Sequence, residues 1–200
     1  MTCCCGSIGA SGMRMCEDHH RYWLGDKELA SVSSVIRSVY PKKSWDGVDR
    51  AVIERARERG SRVDAYLSKY VTTGNVMTEP GEWVEVLERL DRVVAWWNRN
   101  VNGVPVSTQK ILYSERDGIA GTADFVIGDM VMDLKNTAQI EKSYAIQVGA
   151  YAEYENASRA GVLHVTAKSC AFVPYNAEDI RSLWNQARQW WQCIRKLETA

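Results

Sequence analysis

Gly118-Ile119-Ala120-Gly121-Thr122-Ala123-Asp124, followed closely by Met132-Asp133-Leu134-Lys135, is the stretch on which the reading of this chain turns. Ile119–Ile127 and Val131–Leu134 are apolar runs of strand length, and Gly128-Asp129 between them is a turn signal. The two runs therefore predict an antiparallel pair with Asp124 and Asp133 on its two arms. Asp133 and Lys135 lie two residues apart, which places both side chains on one side of a strand. Two carboxylates and a lysine on one face suit metal-assisted hydrolysis of a phosphodiester. Carboxylates hold hard divalent cations such as Mg²⁺, a bound cation activates water, and a lysine orients the nucleophile or stabilises developing charge. The bland alternatives are a hairpin-capping Asp124 and a salt-bridged Asp133–Lys135 pair. Val131, Met132 and Leu134 argue against the second, because charged residues on a buried strand are rare unless they are paired or bound to metal.

Outward from this centre the chain reads as alternating helices and strands. Upstream, a hairpin is predicted over 20–30, and Ser31 or Ser33 can cap a short helix that ends before Pro41. A long helix is predicted from about Val48 to Tyr70 with Val52, Ala56, Val63, Leu67 and Tyr70 on its apolar face. Gly60 lies on that face, where close approach of another element would account for it. A second helix follows Pro80, with Trp83, Leu87, Leu90, Val94 and Trp97 as its stripe. Val104–Ser114 reads as a strand before the central block. Downstream, Lys142–Ala160 is predicted helical, and Gln147 and Tyr151 share a face by their four-residue spacing. Val162–Val173 reads as one strand. Asn176 can cap a last helix carrying Ile180, Leu183, Trp184, Ala187, Trp191, Ile194 and Leu197. Residues 1–18, rich in Gly, Ser, Cys and Met, read as a flexible tail, which leaves 19–200 as one domain.

Composition limits the function classes. With 25 basic and 25 acidic residues the chain is no polycation, so any nucleic-acid contact needs a local patch. The chain is 46% hydrophobic, with eight Trp and nine Tyr, which supplies a core. No apolar run is long enough to span a bilayer, and the N-terminus lacks the layout of a signal peptide. The expected setting is the cytoplasm, where disulfides are rare. Cys3, Cys5, Cys16 and His19 or His20 could together bind zinc, but their spacing is not a standard zinc pattern, and the bland alternative is a tail in which these and Cys4 are incidental thiols. The run Arg50, Arg55, Arg57, Arg59 and Arg62, interleaved with acids, reads as a solvated face with i,i+4 pairs. Trp96 and Trp190 fall off the apolar stripes and are expected to be exposed, where they can stack on bases. His164 is expected to be structural.

The ordered set Ala120-Gly121-Thr122-Ala123-Asp124, Asp133-x-Lys135 and Gln147-x-x-x-Tyr151 resembles the PD-(D/E)XK nuclease superfamily, closest to its RecB-type, phage-like exonucleases. The resemblance covers about His20 to Val173, including Ser31-Val32-Ser33-Ser34-Val35 and Glu58-Arg59-Gly60-Ser61-Arg62-Val63 upstream. It implies an α/β fold in which a mixed central sheet is flanked by helices, with a restriction-endonuclease-like core and an N-terminal helical region. It implies Mg²⁺ or Mn²⁺ as cofactor and DNA, single-stranded or duplex ends, as substrate. It further implies exonuclease action in phage-type recombination, repair or DNA processing, together with a recombination partner protein and, for a phage-encoded chain, the host cytoplasm. Asp124, Asp133, Lys135, Gln147 and Tyr151 take the catalytic positions. Asp124, Asp133 and Asp64 take the metal positions, with Asp64 standing where the family commonly has histidine. Gln109 stands where some relatives carry a glutamate and is assigned no ligand role. Too few cysteines lie downstream for the family's iron–sulfur cluster. A structure-selective endonuclease and a non-catalytic DNA-binding or assembly protein that keeps the fold are the alternatives.

Overall fold

The computed structural model describes residues 12–16, 21–40, 47–101 and 103–198. Cys3, Cys4, Cys5, His19 and His20 fall outside them. Eight strands form one mixed sheet: β1 (Met13–Cys16), β2 (Arg21–Leu24), β3 (Lys27–Ser31), β4 (Val106–Ser114), β5 (Ile119–Ile127), β6 (Met130–Lys135), β7 (Arg159–Val165) and β8 (Cys170–Tyr175). The helices are α1 (Val32–Val39), α2 (Arg50–Thr73), α3 (Val84–Asn100), α4 (Lys142–Glu155) and α5 (Ala177–Glu198). Among the described residues no helix is long and apolar enough to cross a membrane.

The sheet order is β1-β2-β3-β5-β6-β7-β8, with β4 paired to β5 off this path. β4 borders one edge of β5 along its whole length. On the other edge, β3 pairs in parallel with Ile119 and Ala120, and β6 pairs antiparallel with Phe125, Val126 and Ile127. Residues 121–124 lie in the gap between those two neighbours. β6 continues into a parallel ladder with β7, from Met130↔Arg159 to Lys135↔His164.

Helices cover both faces, which buries the central strands on both sides and explains their near-continuous apolar runs. On one face Val63 and Leu67 of α2 and Val86, Leu90, Val93 and Trp97 of α3 pack on Phe125, Ile127, Met130, Met132 and Leu134. On the other, α1, α4 and α5 pack on Ile119, Ala123, Val126 and Val131. The strand alternation on β5 thus breaks once: Ala123 and Phe125, two residues apart, face opposite cores. The break falls at Asp124, where the β4–β5 ladder skips its Gln109–Asp124 pair between Thr108↔Phe125 and Lys110↔Ala123. Gln109 there adopts a left-handed backbone, φ 50°. A local ladder disruption of this kind re-aims side chains.

Several expectations need correction. The tail assigned to 1–18 overlaps β1, which pairs with β2 and buries Cys16 as well as Met13, the latter against Tyr22, Leu29 and Ala120. The helix expected over Lys142–Ala160 ends at Glu155, since Asn156 takes the left-handed C-cap conformation at φ 55°. The single strand expected over Val162–Val173 is the β7–β8 hairpin, reversed by a turn in which Thr166 Oγ1 accepts from Lys168 N and Ser169 N at 3.1 and 2.9 Å. The apolar face of α2 is shorter than expected, and Val52 is 59% exposed. The N-terminal half of α2 is held by charge instead, through Arg55 and Arg59 on Glu85 of α3 and Arg62 on Glu82 just ahead of that helix. The arginine run is therefore only partly a face of i,i+4 pairs, of which Arg50–Glu54 and Arg62–Glu58 are two. The stripe of α3 is rotated, with Val86 and Val93 fully buried and Leu87 and Val94 half-buried. Trp96 is half-buried, its ring 6.2 Å from that of Phe172, whereas Trp190 is 63% exposed as expected. Leu183 and Leu197, placed on the apolar stripe of α5, are exposed.

Candidate active site

Where β5 and β6 separate, the side chain of Asp124 takes over the role of a strand carbonyl. The β5–β6 pairing stops at Phe125↔Met132, and Leu134 N, one of the next donors on β6, gives its hydrogen to Asp124 Oδ2 at 2.7 Å. Asp124 lines an open cavity of about 310 Å³ together with Gly60, Ser61 and Asp64 of α2, Leu134 and Lys135 of β6, and Asn136. Gly60 does not relieve a clash. A Cβ there would stand 3.9 Å from Asn136 Cβ, an ordinary contact, so its effect is to keep the cavity wall low.

Asp133 and Lys135 do point the same way: Lys135 Nζ lies 2.5 Å from Asp133 Oδ2, and Asp133 is only 2% exposed. The ammonium also stands 5.1 Å from the ring centre of Tyr144. Burial alone would lower the lysine pKa, but the carboxylates of Asp133 and Asp124 outweigh it and hold Lys135 above its ordinary value. Those two carboxylates thus keep Lys135 an ammonium in the metal-free protein.

Asp64 reaches the site from α2. Gln109 Nε2 donates to its Oδ2 at 3.0 Å, and its Oδ1 is buried with no hydrogen-bond partner. Burial, then the negative charge of Asp133, push the Asp64 carboxyl up to about 6, against the opposing pull of Gln109 and Lys135. Burial, Asp133 and Asp64 likewise hold Asp124 well above the usual carboxylate range. The three acids thus share one electrostatic neighbourhood. Among the described residues, however, no three acidic, histidine or cysteine side chains stand ready-made at cation-ligand spacing. The donor chemistry nonetheless fits a hard divalent ion: three carboxylates, one with an orphaned buried oxygen.

Gln147 and Tyr151 meet as their spacing implies, with Gln147 Nε2 donating to Tyr151 Oη at 3.0 Å. Burial, then Asp133, raise the Tyr151 pKa well above its ordinary value, so the phenol stays neutral. The two glycines of the central stretch have separate uses. Gly118 forms the β4–β5 turn at φ 67°. A Cβ on Gly121 would come within 2.7 Å of Tyr151 Cε1 and 3.0 Å of Val32 Cγ2, so its bareness seats the Tyr151 ring rather than admitting a phosphate. His164 is structural as expected, with its Nε2 2.8 Å from the Thr137 carbonyl.

Sequence reasoning assigned Gln109 no ligand role and passed over Asn136. The first holds Asp64 from a left-handed backbone. The second neighbours Lys135, and its partner Arg89 had a visible signal: a charged residue set within the Val86, Leu90, Val93 stripe of α3.

No protein-family model and no curated protein matches this chain. Solved structures do. A candidate exonuclease from Eubacterium rectale superposes with a TM-score of 0.58 at 17% identity, covering 87% of this chain and 82% of its own. An alkaline exonuclease from Laribacter hongkongensis gives 0.47 at 11% identity over 85% and 89% of the two chains. A phage-related exonuclease from Haemophilus somnus 129PT gives 0.38 at 13% over 84% and 96%. The restriction-endonuclease-like expectation therefore stands at the level of fold: the chain shares the architecture of the Eubacterium rectale protein along most of both lengths.

Proposed function

We propose that this protein is a divalent-metal-dependent deoxyribonuclease, acting as an exonuclease on single-stranded or duplex DNA ends. One observation carries the reading: Asp64, Asp124, Asp133 and Lys135 form one electrostatic cluster beside a cavity at the break in the sheet. The fold shared with a candidate exonuclease supports it.

Asp124, Asp133 and Asp64 are the residues that would hold Mg²⁺ or Mn²⁺. When bound, the ion supplies an activated water and neutralises phosphate charge. The chain's own groups do the rest. Lys135 presents an ammonium to the anionic phosphate and to charge developing on it. Gln109 holds one oxygen of Asp64 and leaves the other free for a ligand. Tyr151, wedged on Gly121, holds Gln147 through its hydroxyl, and the pair would position the strand being cleaved. A place in phage-type recombination or repair, with a recombination partner, extends the same proposal.

The test is digestion of linear and circular single- and double-stranded DNA in Mg²⁺, Mn²⁺ or EDTA. Degradation of linear substrates, sparing of circles, and loss of activity in EDTA and in Asp133→Asn are expected. Nicking of circles would move the reading to an endonuclease. Binding without cleavage in either metal would leave a DNA-binding protein that has kept the fold.

A further inference from the structure

Beside the acids, the cavity is lined by Asn136, whose amide donor lacks an acceptor. Arg89 of α3 is only 8% exposed, yet it pairs with no carboxylate among the described residues. Its Nε donates to Asn136 Oδ1 at 3.0 Å and its Nη1 to the Glu85 carbonyl at 2.9 Å. The first bond fixes the orientation of the Asn136 amide, and Asn136 Nδ2 is left buried with no acceptor. Arg59 of α2 repeats the pattern: Nη1 reaches Glu85 Oε2 at 3.1 Å, while its Nε is buried and unmatched. Buried polar groups are normally satisfied. The orphaned amide of Asn136, a residue that lines the cavity, points to a missing acceptor. Asn136 and Ser61 line the cavity with Lys135; Arg89 stands behind Asn136, and Arg59 meets Arg89 at their shared partner Glu85.

Resting on the nuclease reading, we propose that Asn136, backed by Arg89 and Arg59, forms a phosphate-binding subsite next to the acidic cluster, where it holds a phosphate of the DNA strand adjoining the one cleaved. The cavity is then polarised, with an acid wall for a cation and a donor wall for an oxyanion. An acceptor with several lone pairs and a negative charge satisfies the orphaned donors and draws on both guanidinium charges.

A purely structural role for Asn136, tying the end of β6 to Arg89, makes the opposite prediction for one substitution. Asn136→Asp keeps an acceptor for Arg89 and adds an ion pair, so a structural tie is preserved, but it removes the amide donor and repels phosphate. Equilibrium binding of duplexes with 5′-phosphate or 5′-hydroxyl ends is measured in Ca²⁺ across a KCl series. The proteins are wild type, Asn136→Asp, Arg89→Lys and the charge control Gln139→Asp at an exposed position. Asn136→Asp is expected to melt at or above wild type and to bind about tenfold more weakly. Its salt slope should be shallower by about one. Gln139→Asp should change little. Arg89→Lys, which keeps the charge but loses the planar fork, should fall between. An equal loss on both duplexes assigns the subsite to a backbone phosphodiester; a loss confined to the 5′-phosphorylated duplex assigns it to the terminal phosphate. If Asn136→Asp binds like wild type or like Gln139→Asp, the subsite is wrong while the nuclease reading stands. If wild type binds neither duplex, the nuclease reading itself falls, and the subsite with it.

Discussion

Asp64→Asn should stabilise the metal-free protein at neutral and alkaline pH. Asp64 is raised from its ordinary 3.8 to about 6, chiefly by burial and then by the charge of Asp133. A carboxyl whose folded pKa lies above its unfolded value binds more protons in the native state, so stability falls as pH rises through that interval. At roughly 1.4 kcal/mol per pH unit, the displacement sets a ceiling of roughly 3 kcal/mol. The penalty is absent below the unfolded value of 3.8, grows between there and about 6, and is complete above that. Asparagine carries no charge to bury and can still accept from Gln109. In EDTA, urea unfolding should therefore find Asp64→Asn more stable than wild type by up to about 3 kcal/mol at pH 8. The two should converge below pH 4. Saturating Mg²⁺ or Mn²⁺ at pH 8 should raise wild type by about 2.7 kcal/mol at a hundred times Kd, and the variant by less. Equal stability of the two proteins at pH 8 in EDTA would refute the placement of Asp64 in a shared acidic cluster.

Lys135→Ala should lower single-turnover cleavage by about 10²–10³ while DNA affinity in Ca²⁺ changes modestly, because its charge acts on the transition state. Gln109→Gly should unfold at urea concentrations at or above wild type, since glycine relieves the left-handed backbone, and should exceed Gln109→Ala by about 1–2 kcal/mol. Both variants should show a smaller metal-induced thermal shift than wild type. Gly149→Ala should destabilise by about 1–3 kcal/mol, because its Cβ would collide with the Ile180 backbone carbonyl where α4 meets α5; urea denaturation checks it.

The elements around the site were legible where one local signal dominates. Ser31 caps α1 by accepting from Ser34 N at 3.0 Å, and Asn176 caps α5 by accepting from Glu178 N at 3.0 Å. Gly128 turns β5 into β6 at φ 57°. The shared side of Asp133 and Lys135 follows from strand period alone. What stayed hidden is what long-range packing decides. Asn156 can extend a helix or stop it, and only the start of β7 against β6 settles that it stops. The Val162–Val173 run has no glycine or proline near its reversal, so its turn is written in Thr166 hydroxyl bonds that a hydropathy pattern does not register. Above all, Ala120–Ile127 reads as an unbroken apolar strand around Asp124. Nothing in that run shows that the chain reverses its faces there.

That reversal links the core to the site. A regular strand would send Phe125 and Ile127 to the same side as Ala123, toward α1, α4 and α5. The break delivers them to the α2–α3 core instead, where Phe125 meets Trp97 with ring centres 4.9 Å apart. It also frees Asp124 from ordinary pairing on either edge, at the one place where β5 lacks a neighbour strand. The charge there does not balance within the protein. Three carboxylates stand against the single ammonium of Lys135, which its neighbours keep charged. Fully ionised, the cluster carries an excess negative charge equal to the positive charge of one divalent cation. Without a cation the same excess must be met by protons, which is the physical meaning of the raised Asp64 and Asp124. In the proposed site, protons and a cation would compete for the same oxygens. Cation affinity should accordingly rise with pH through the region near 6 in which Asp64 ionises, and the acid-stabilised state of the metal-free protein and the metal-bound state at neutral pH are two solutions to one electrostatic deficit.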